Sequence, residues 1–340
     1  MALRPGRRLM AAAGPAHQLA HNENPFGPPA EVRAALHEAI AVTNRYPQFR
    51  PDELTGLIAG WQGLSADAVA VGQGAGGVAH DLFRAVLRPG DNVVCTAPGF
   101  DLYPMLCEMT GTHAATVDMA PGGRNDLTGL ARHIDDRTRA VVLCNPDNPT
   151  GTLTGWADLS DFFARVPQDV TIVLDEAYVD FAPEFDAPAP RERLDAWPNL
   201  MILRTFSKSH GLAALRVGYA LGSPDLVRRI RRHQLPFAIG QFQLAGVRAA
   251  LAAQEEVKER VAQIVAERER VRAELLRRGW SVPRSHANFL WLEGAERPQL
   301  ALDALTRAGI AVRHHPGRGI RLTVGDKAAN DAVLSALHRV

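Results

Sequence analysis

The sequence predicts an α/β protein in which a large domain has a mainly parallel central sheet and a smaller domain is α+β. The first reason is that short apolar runs alternate with helical patterns from about residue 67 to residue 222. These runs do not alternate apolar and polar residues, which is typical of strands buried on both faces. The second reason concerns the smaller domain: after residue 222 the chain continues with a long helical stretch and further short strands, which is typical of an α+β domain. A chain of 340 residues is long enough for two such domains.

The predicted strands and helices follow from the local spacing of apolar residues. Six runs are predicted to be strands of the large domain: AVAVG, NVVCTA, AVVLCN, TIVLDEA, LMILRT and VGYALG. Helical patterns such as HDLFRAVL and WADLSDFFARV lie between them. Residues 242–278, rich in arginine and glutamate, are predicted to be helical, and NFLWLE, GIAVRHH and GIRLTVG are predicted to be strands of the smaller domain. We place the large domain at residues 40–225 and the smaller domain at residues 1–39 and 226–340.

The composition excludes several classes of function. The 38 basic and 37 acidic residues give a net charge of +1, so we expect neither nucleic acid nor a membrane as a partner. LMAAAG, near the start, is too short and too weakly apolar for the core of a signal peptide. Cys95, Cys107 and Cys144 form an odd set without a CxxC motif, which indicates buried thiols in a reducing compartment. We therefore expect a cytoplasmic protein.

Lysine is scarce in this chain. Only three of the 38 basic residues are lysines, namely Lys208, Lys258 and Lys327. Such a chain retains lysine where an amine is required, because a guanidinium stays protonated and cannot act as a nucleophile or base. Lys258 and Lys327 lie in charged or polar stretches, whereas Lys208 lies in RTFSKSHGL, directly after an apolar run and without an acidic neighbour. Lys208 is therefore the candidate reactive amine.

Polar or glycine-rich segments follow four of the predicted strands. GQGAGG follows AVAV, NPDNPTG follows AVVLC, Asp175 closes TIVLD, and TFSK follows LMIL. Ligands of parallel sheets bind beyond the carboxyl ends of the strands. We therefore expect these four segments to meet in one site.

The segment GQGAGG, residues 72–77, admits three interpretations. It matches the dinucleotide pattern G-x-G-x-x-G, but the acidic residue at the required spacing, Asp91, opens the next strand instead of ending it. A nucleotide-dependent dehydrogenase is therefore disfavoured. The backbone amides of Ala75 and Gly76, at a helix N terminus, would suit any phosphate monoester. A plain glycine turn explains this motif equally well when it is taken alone.

Together, the four segments offer the groups that a pyridoxal phosphate (PLP) cofactor needs: an amine for its aldehyde, a carboxylate for its pyridine nitrogen and donors for its phosphate. The chain contains, in order, LAHNENPFGP, NRYP, AVGQGAGG, APGFDLY, NPDNPTG, LDEAYVDF, RTFSKSHGLAALRVGYA and GIRLTVG. In this order and spacing the motifs resemble fold-type I PLP-dependent aminotransferases of the histidinol-phosphate and aromatic amino acid branch. The resemblance spans about residue 19 to the C terminus and implies an aspartate-aminotransferase-like fold.

The resemblance implies a role for each matching residue. Lys208 would form a Schiff base with PLP and, once a substrate amine displaces it, shuttle the proton from the substrate Cα. Asp175 would pair with the pyridine N–H, Asn148 and Tyr178 would bind the ring hydroxyl, and Phe100 would stack on the ring. The phosphate would be held by Ala75, Gly76, Thr205 or Ser207, and Arg216, and by Tyr46, which would reach the site of the neighbouring subunit. The role of Tyr46 implies a homodimer.

The resemblance also implies how the substrate is recognised. Arg321 in GIRLTVG would bind an α-carboxylate, or a phosphate if the substrate is histidinol phosphate. Arg313 in AVRHH is a second candidate for an anionic tail, with a simple exposed strand charge as the alternative. Asn22 and Glu23 would line the entrance. No metal site is expected at the histidines 314–315, because adjacent strand residues point to opposite faces.

Four positions depart from the family pattern without affecting this chemistry. Asp147 stands where asparagine is common, Gly76 where an acidic residue is frequent, Gly99 where threonine is usual, and His210 where an aromatic residue is common. The N-terminal segment is short and lacks the aromatic-proline arm that closes over the substrate. The core motifs therefore do not distinguish histidinol phosphate from an aromatic amino acid.

The resemblance implies transfer of an amino group between an aromatic amino acid or histidinol phosphate and a 2-oxo acid such as 2-oxoglutarate. Two alternatives use the same core: decarboxylation of threonine phosphate or other carbanion chemistry, and a non-catalytic sensor. The sensor is disfavoured because Lys208, Asp175 and Tyr178 are all present. The first alternative stays open, since it needs the same residues.

Overall fold

A computed structural model of the chain describes residues 15–294 and 297–340; the segment LMAAAG lies outside them. The strands of the described residues are, in chain order, β1 His17–Gln18, β2 Val69–Gln73, β3 Asn92–Ala97, β4 His113–Asp118, β5 Thr138–Cys144, β6 Thr171–Asp175, β7 Leu200–Thr205, β8 Val217–Gly222, β9 Phe289–Glu293, β10 Ile310–Ala311, β11 Arg313–His315 and β12 Gly319–Thr323.

The α-helices of the same residues are α1 Ala30–Ala39, α2 Asp52–Trp61, α3 Gly74–Val86, α4 Leu102–Thr110, α5 Leu127–Arg132, α6 Trp156–Phe163, α7 Pro190–Ala196, α8 Pro224–Arg231, α9 Gln241–Ala252, α10 Gln254–Arg277, α11 Arg297–Arg307 and α12 Lys327–Ala336. The stretch predicted as one helix over residues 242–278 thus forms α9 and α10, which are separated at Ala253. Among the helices just named, none combines the length and the apolar character that crossing a membrane requires.

The large sheet of the described chain has seven strands in the order β2, β8, β7, β6, β5, β3, β4. Strands β3 to β7 pair in parallel, whereas β8 runs antiparallel to both β2 and β7. The prediction of a mainly parallel sheet is confirmed, and all six predicted runs lie in it. The edge strand β4 was missed, because only Val117 of HAATVD is buried and the segment therefore has no continuous apolar run.

Successive residues of the central strands pack on opposite faces of this sheet. Val94 and Val141 belong to the core on one face, whereas their neighbours Val93 and Val142 belong to the core on the other. Helices α2, α6 and α9 cover the first face, and α3, α4 and α8 cover the second. Because side chains alternate along a strand and both faces are covered, the middle of each central strand is a run of consecutive apolar residues, such as residues 140–143 of β5.

A second sheet is antiparallel, in the order β11, β12, β9, and β1 pairs in parallel with β10. Ile320 of β12 packs in one core with Leu275 of α10 and with Leu19, so the residues next to β1 join the C-terminal part of the chain. The domain boundaries stay a prediction. Val32 of α1 and Val247 of α9 pack in the core of the large sheet, although the predicted boundaries place both in the smaller domain.

Candidate active site

A cavity of about 550 Å³ lies at the carboxyl ends of the parallel strands, between the large sheet and β12. The predicted strand-end segments therefore meet there, since their strands are neighbours in one parallel sheet. Twelve of the predicted site residues line the cavity: Asn22, Ala75, Gly76, Phe100, Asn148, Asp175, Tyr178, Thr205, Ser207, Lys208, Arg216 and Arg321. Glu23, predicted at the entrance, lines it as well.

The amine of Lys208 points into this cavity from the loop after β7. Its Nζ donates hydrogen bonds to the carbonyl oxygens of His21, at 2.9 Å, and Asn22, at 3.0 Å, and lies 5.8 Å from the centre of the Tyr178 ring. Burial, together with the positive charge of Arg321, lowers the pKa of Lys208 to about 8. A substantial fraction of this amine is therefore neutral near pH 7 to 8, as a nucleophile or base requires.

Asp175 ends β6 and is buried in the floor of the cavity. Its Oδ2 accepts a 2.6 Å hydrogen bond from the Tyr103 hydroxyl, and its Oδ1 accepts a 3.0 Å bond from the Ala177 backbone amide. Burial raises the pKa of Asp175, while these two hydrogen bonds oppose the rise by stabilising the charged form. A cationic nitrogen placed against this carboxylate would relieve the cost of burying it.

Tyr178 and Asn148 hold their polar groups toward the same space. The Tyr178 hydroxyl accepts a 2.9 Å hydrogen bond from Asn22 Nδ2, and burial raises the pKa of Tyr178 to about 12. Asn148 Oδ1 accepts a 2.6 Å bond from Arg321 Nη1, while Arg321 Nη2 donates to the Ala20 carbonyl at 2.6 Å. The buried Nε of Arg321 has no partner among the described residues. This guanidinium is thus held in place by two of its five N–H donors, and the others are left for an anion.

Backbone amides and a guanidinium form a cradle at the start of α3. The first amides of a helix lack helical acceptors, and Ala75 and Gly76 are in that first turn. Arg216 lies against it: a Cβ on Gly74, which has φ +74°, would be 2.6 Å from Arg216 Nη2. A Cβ on Gly218 would be 2.1 Å from the Ala75 nitrogen. These two glycines therefore let the guanidinium and β8 approach the helix N terminus.

Two hydroxyls complete the cradle. Thr205 Oγ1 donates to Ser207 Oγ at 3.0 Å, and the Ser207 backbone amide donates to Thr205 Oγ1 at 3.1 Å. Both side chains line the cavity beside Arg216. The cradle thus brings together a guanidinium, two hydroxyls and free backbone amides. These are the hydrogen-bond donors that a phosphate monoester prefers.

Two predicted site residues lie outside the cavity lining. Arg313 forms an ion pair with Asp101, and both side chains are more than half exposed. Tyr46 is 83% exposed and packs against Phe237, with ring centres 5.1 Å apart. Since Tyr46 was assigned to the site of a neighbouring subunit, its position in a single chain leaves that role a prediction.

Tyr103 is a site residue that the sequence reasoning missed. It lies in the quoted motif APGFDLY, but no spacing rule links it to Asp175, which is 72 residues further along the chain. Tyr103 is buried on α4, and its ring packs edge-on against Phe100 with centres 5.9 Å apart. His210 stands where the family pattern has an aromatic residue. Its ring is buried and packs like an aromatic side chain, with its centre 4.9 Å from that of the Phe206 ring.

Known aminotransferases are similar to this chain. A family model described as aminotransferase class I and II matches residues 16–337. An aromatic amino acid aminotransferase of Thermobifida fusca is 42% identical over 332 residues, which are 98% of this chain and 92% of that protein. These matches extend over both sheets, so they include every segment that lines the cavity.

Solved structures share the fold over almost the whole chain. Histidinol-phosphate aminotransferase from Sinorhizobium meliloti, in complex with pyridoxal-5'-phosphate, gives a TM-score of 0.89 at 30% identity and covers 96% of this chain and 90% of that one. A tetra mutant of Thermus thermophilus aspartate aminotransferase gives a TM-score of 0.82 at 22% identity, with 99% of both chains covered, and shows the fold alone. The chain therefore belongs to the class I and II aminotransferases and has their aspartate-aminotransferase-like fold.

Proposed function

We propose that this cavity binds PLP and that the enzyme transfers an amino group between an aromatic amino acid and a 2-oxo acid. The observation that carries the proposal is the lining of one cavity by the amine of Lys208, the carboxylate of Asp175 and the guanidinium of Arg216. These groups match the aldehyde, the pyridine nitrogen and the phosphate of the cofactor. Most of the other residues predicted from the motifs line the same cavity, whereas Arg313 and Tyr46 lie outside its lining.

The donors present fit the cofactor in kind and in place. Arg216 and the amides at the start of α3 would hold the phosphate, with Thr205 and Ser207 beside them. Asp175 would face the pyridine nitrogen, and Asn148 and Tyr178 would bind the ring hydroxyl. The space for this phosphate depends on Gly74, because a side chain there would collide with Arg216.

When bound, PLP supplies an aldehyde and an electron-accepting ring, which amino-acid side chains lack. Lys208 would attach to that aldehyde through Nζ and be released when a substrate amine takes its place. The free Nζ, with its pKa lowered to about 8, would then accept the proton from the substrate Cα and return it later. Asp175 would keep the pyridine nitrogen protonated, since a buried carboxylate without a cationic partner is unfavourable.

Two observations support an aromatic amino acid as the amino donor. The relative from T. fusca carries that activity in its name and shares 42% of its residues with this chain over nearly its full length. In the cavity, Arg321 offers a guanidinium for one carboxylate, and Phe100 offers an exposed ring at the rim. Histidinol phosphate is the competing donor, because a guanidinium also binds phosphate.

We also propose that the enzyme is a homodimer. Tyr46, Phe49 and Phe237 form an exposed aromatic cluster, with exposed fractions of 83%, 58% and 43%. Ile40 and Leu235 are also exposed, by 54% and 75%. Large apolar side chains grouped on a surface are typical of an interaction site. A partner of the same kind would place Tyr46 at the neighbouring cavity, and light scattering of an F49A/F237A variant should then show monomers.

A cytoplasmic location completes the proposal. Cys95, Cys107 and Cys144 are all buried free thiols, which supports a reducing compartment.

The experiment that tests the proposed chemistry replaces the reactive amine. K208R should abolish the visible absorbance of the PLP-loaded enzyme and reduce amino transfer from phenylalanine to 2-oxoglutarate by roughly a thousandfold or more. K258R is the matched control, because Lys258 is exposed and pairs with Glu255. Full turnover in K208R, or equal loss in both variants, would rule the proposal out.

A further inference from the structure

The face of the small sheet that carries Arg321 also carries a second arginine. Arg313 of β11 is the direct cross-strand partner of Arg321 in β12, and Trp291 of β9 is the partner on the other side. Residues directly opposite in antiparallel strands project from the same face of the sheet. Two guanidinium groups therefore lie side by side next to the cavity, an arrangement that is unfavourable unless one charge is compensated.

Asp101 compensates the charge of Arg313. It directly precedes α4 and follows Phe100, whose ring lines the cavity, so the Asp101–Arg313 ion pair lies at the cavity rim. The Asp101 side chain is 66% exposed and that of Arg313 is 52% exposed. Arg321, by contrast, is 9% exposed and has no carboxylate partner among its hydrogen bonds, which are to Asn148 and the Ala20 carbonyl.

Among the described residues of this face, no other cation replaces Arg313. His315 lies on the same side as Arg313, two residues along β11, and its ring packs edge-on against Trp291 with centres 5.3 Å apart. Burial lowers the pKa of His315 to about 4, so the ring is neutral at pH 7. At that pH the pair of arginines with Asp101 therefore presents one net positive charge to the cavity.

One positive charge suits a carboxylate better than a phosphate. A carboxylate carries one negative charge, whereas a phosphate monoester carries close to two at pH 7. A phosphate beside Arg321 would need Arg313 as well, and it would also face the repulsion of the Asp101 carboxylate. The ion pair therefore selects between substrates that have the same amine but different anions.

We propose that Asp101 is a specificity-determining residue, which engages Arg313 and so favours amino donors with a carboxylate over donors with a phosphate. The proposal rests on the proposed function of the cavity, because it concerns the anion that Arg321 binds there. It predicts that phenylalanine is a better donor than histidinol phosphate. It also predicts that removal of one carboxylate moves the preference toward phosphate.

The test compares two inert probes on the PLP-loaded enzyme, 3-phenylpropionate and 2-phenylethyl phosphate, which share a phenylethyl group and differ in the anion. Calorimetry should show that wild type binds the carboxylate more tightly. D101N should improve binding of the phosphate probe relative to the carboxylate by roughly three- to tenfold. The ratio of kcat/KM for histidinol phosphate to that for phenylalanine should rise by a similar factor.

Two further variants test whether the effect of D101N comes from the release of Arg313 and not from the loss of any surface carboxylate. D118N removes the carboxylate of a similarly exposed ion pair, Arg318–Asp118, whose arginine lies in the same hairpin as Arg313, and it should leave both ratios unchanged. The double variant D101N/R313Q should lose the gain seen in D101N. Three results would overturn the proposal. D101N could leave the preference between phosphate and carboxylate unchanged, the double variant could keep the gain in phosphate binding, or wild type could bind the phosphate probe more tightly than the carboxylate probe. Wild type that binds the probes but transfers no amino group would instead refute the proposed function.

Discussion

The Tyr103 hydroxyl donates a 2.6 Å hydrogen bond to Oδ2 of Asp175, and both side chains are buried. Tyr103 comes from α4 and Asp175 from the end of β6, so the bond joins a helix on one face of the sheet to the floor of the cavity. A hydrogen bond to a carboxylate favours its charged form. Tyr103 is therefore a positioning residue, which helps Asp175 to stay ionised for the pyridine nitrogen.

Y103F should weaken cofactor binding. Loss of the donor raises the pKa of Asp175 above its already raised value, so less carboxylate is charged, and the effect grows as the pH falls. We expect the Kd for PLP, measured by equilibrium dialysis, to rise roughly tenfold, and by more at pH 6 than at pH 8. Y219F is the control, since Tyr219 is buried in the core and does not line the cavity. A Y103F enzyme with wild-type affinity at both pH values would contradict this role.

The rate at which the apoenzyme incorporates PLP should depend on pH. Nζ of Lys208 reacts only when it is neutral, and its pKa is lowered to about 8. The rate, followed by the visible absorbance of the bound cofactor, should therefore rise with pH and level off above about 8. R321Q removes a positive charge that lowers this pKa, so its profile should move to higher pH. Identical profiles for wild type and R321Q would show that Arg321 does not act on Lys208.

G74A should disturb the phosphate cradle. Gly74 has φ +74°, and an added Cβ would be 2.6 Å from Arg216 Nη2. The guanidinium must move, and the left-handed backbone costs about 1 kcal/mol for a residue with a side chain. We expect PLP affinity to fall at least roughly tenfold, since a charged contact to the phosphate is displaced. G155A, where a Cβ would meet nothing within 4 Å, should bind PLP as wild type does.

D147N should change how stability depends on pH. Burial raises the pKa of Asp147 from 3.8 to about 7, although Thr150 donates two hydrogen bonds to its Oδ2. Between these values the folded protein holds a proton that the unfolded chain has released, so the contribution of Asp147 to stability is largest at low pH and is lost as pH rises toward about 7. Asparagine does not titrate and keeps an acceptor oxygen.

Melting temperatures of the apoenzyme test this sign. The difference between wild type and D147N should move in favour of D147N from about pH 5 to about pH 7.5. A difference in melting temperature that stays constant over that pH range would show that Asp147 does not titrate there.

Much of this protein could be predicted from the sequence by itself. Strands buried on both faces need consecutive apolar residues, and the six runs of the large sheet show this pattern directly. The reactive residues follow those strands at their carboxyl ends, so Lys208, Asp175 and Asn148 could be assigned to one cavity from their place in the chain. The scarcity of lysine and the order of the motifs then identified the family.

Only the tertiary structure decided which side chains meet when they are far apart in the sequence. Strand β4 has one buried residue, so its apolar signal was too weak to be recognised. The bonds of Asp175 to Tyr103 and of Arg321 to Asn148 join segments 72 and 173 residues apart. Arg313 has the same local pattern as a substrate-binding arginine, and only the packing of β11 near the start of α4 places Asp101 against it. Local periodicity determines elements because it acts between neighbours, whereas pairing between distant charges depends on how the elements pack.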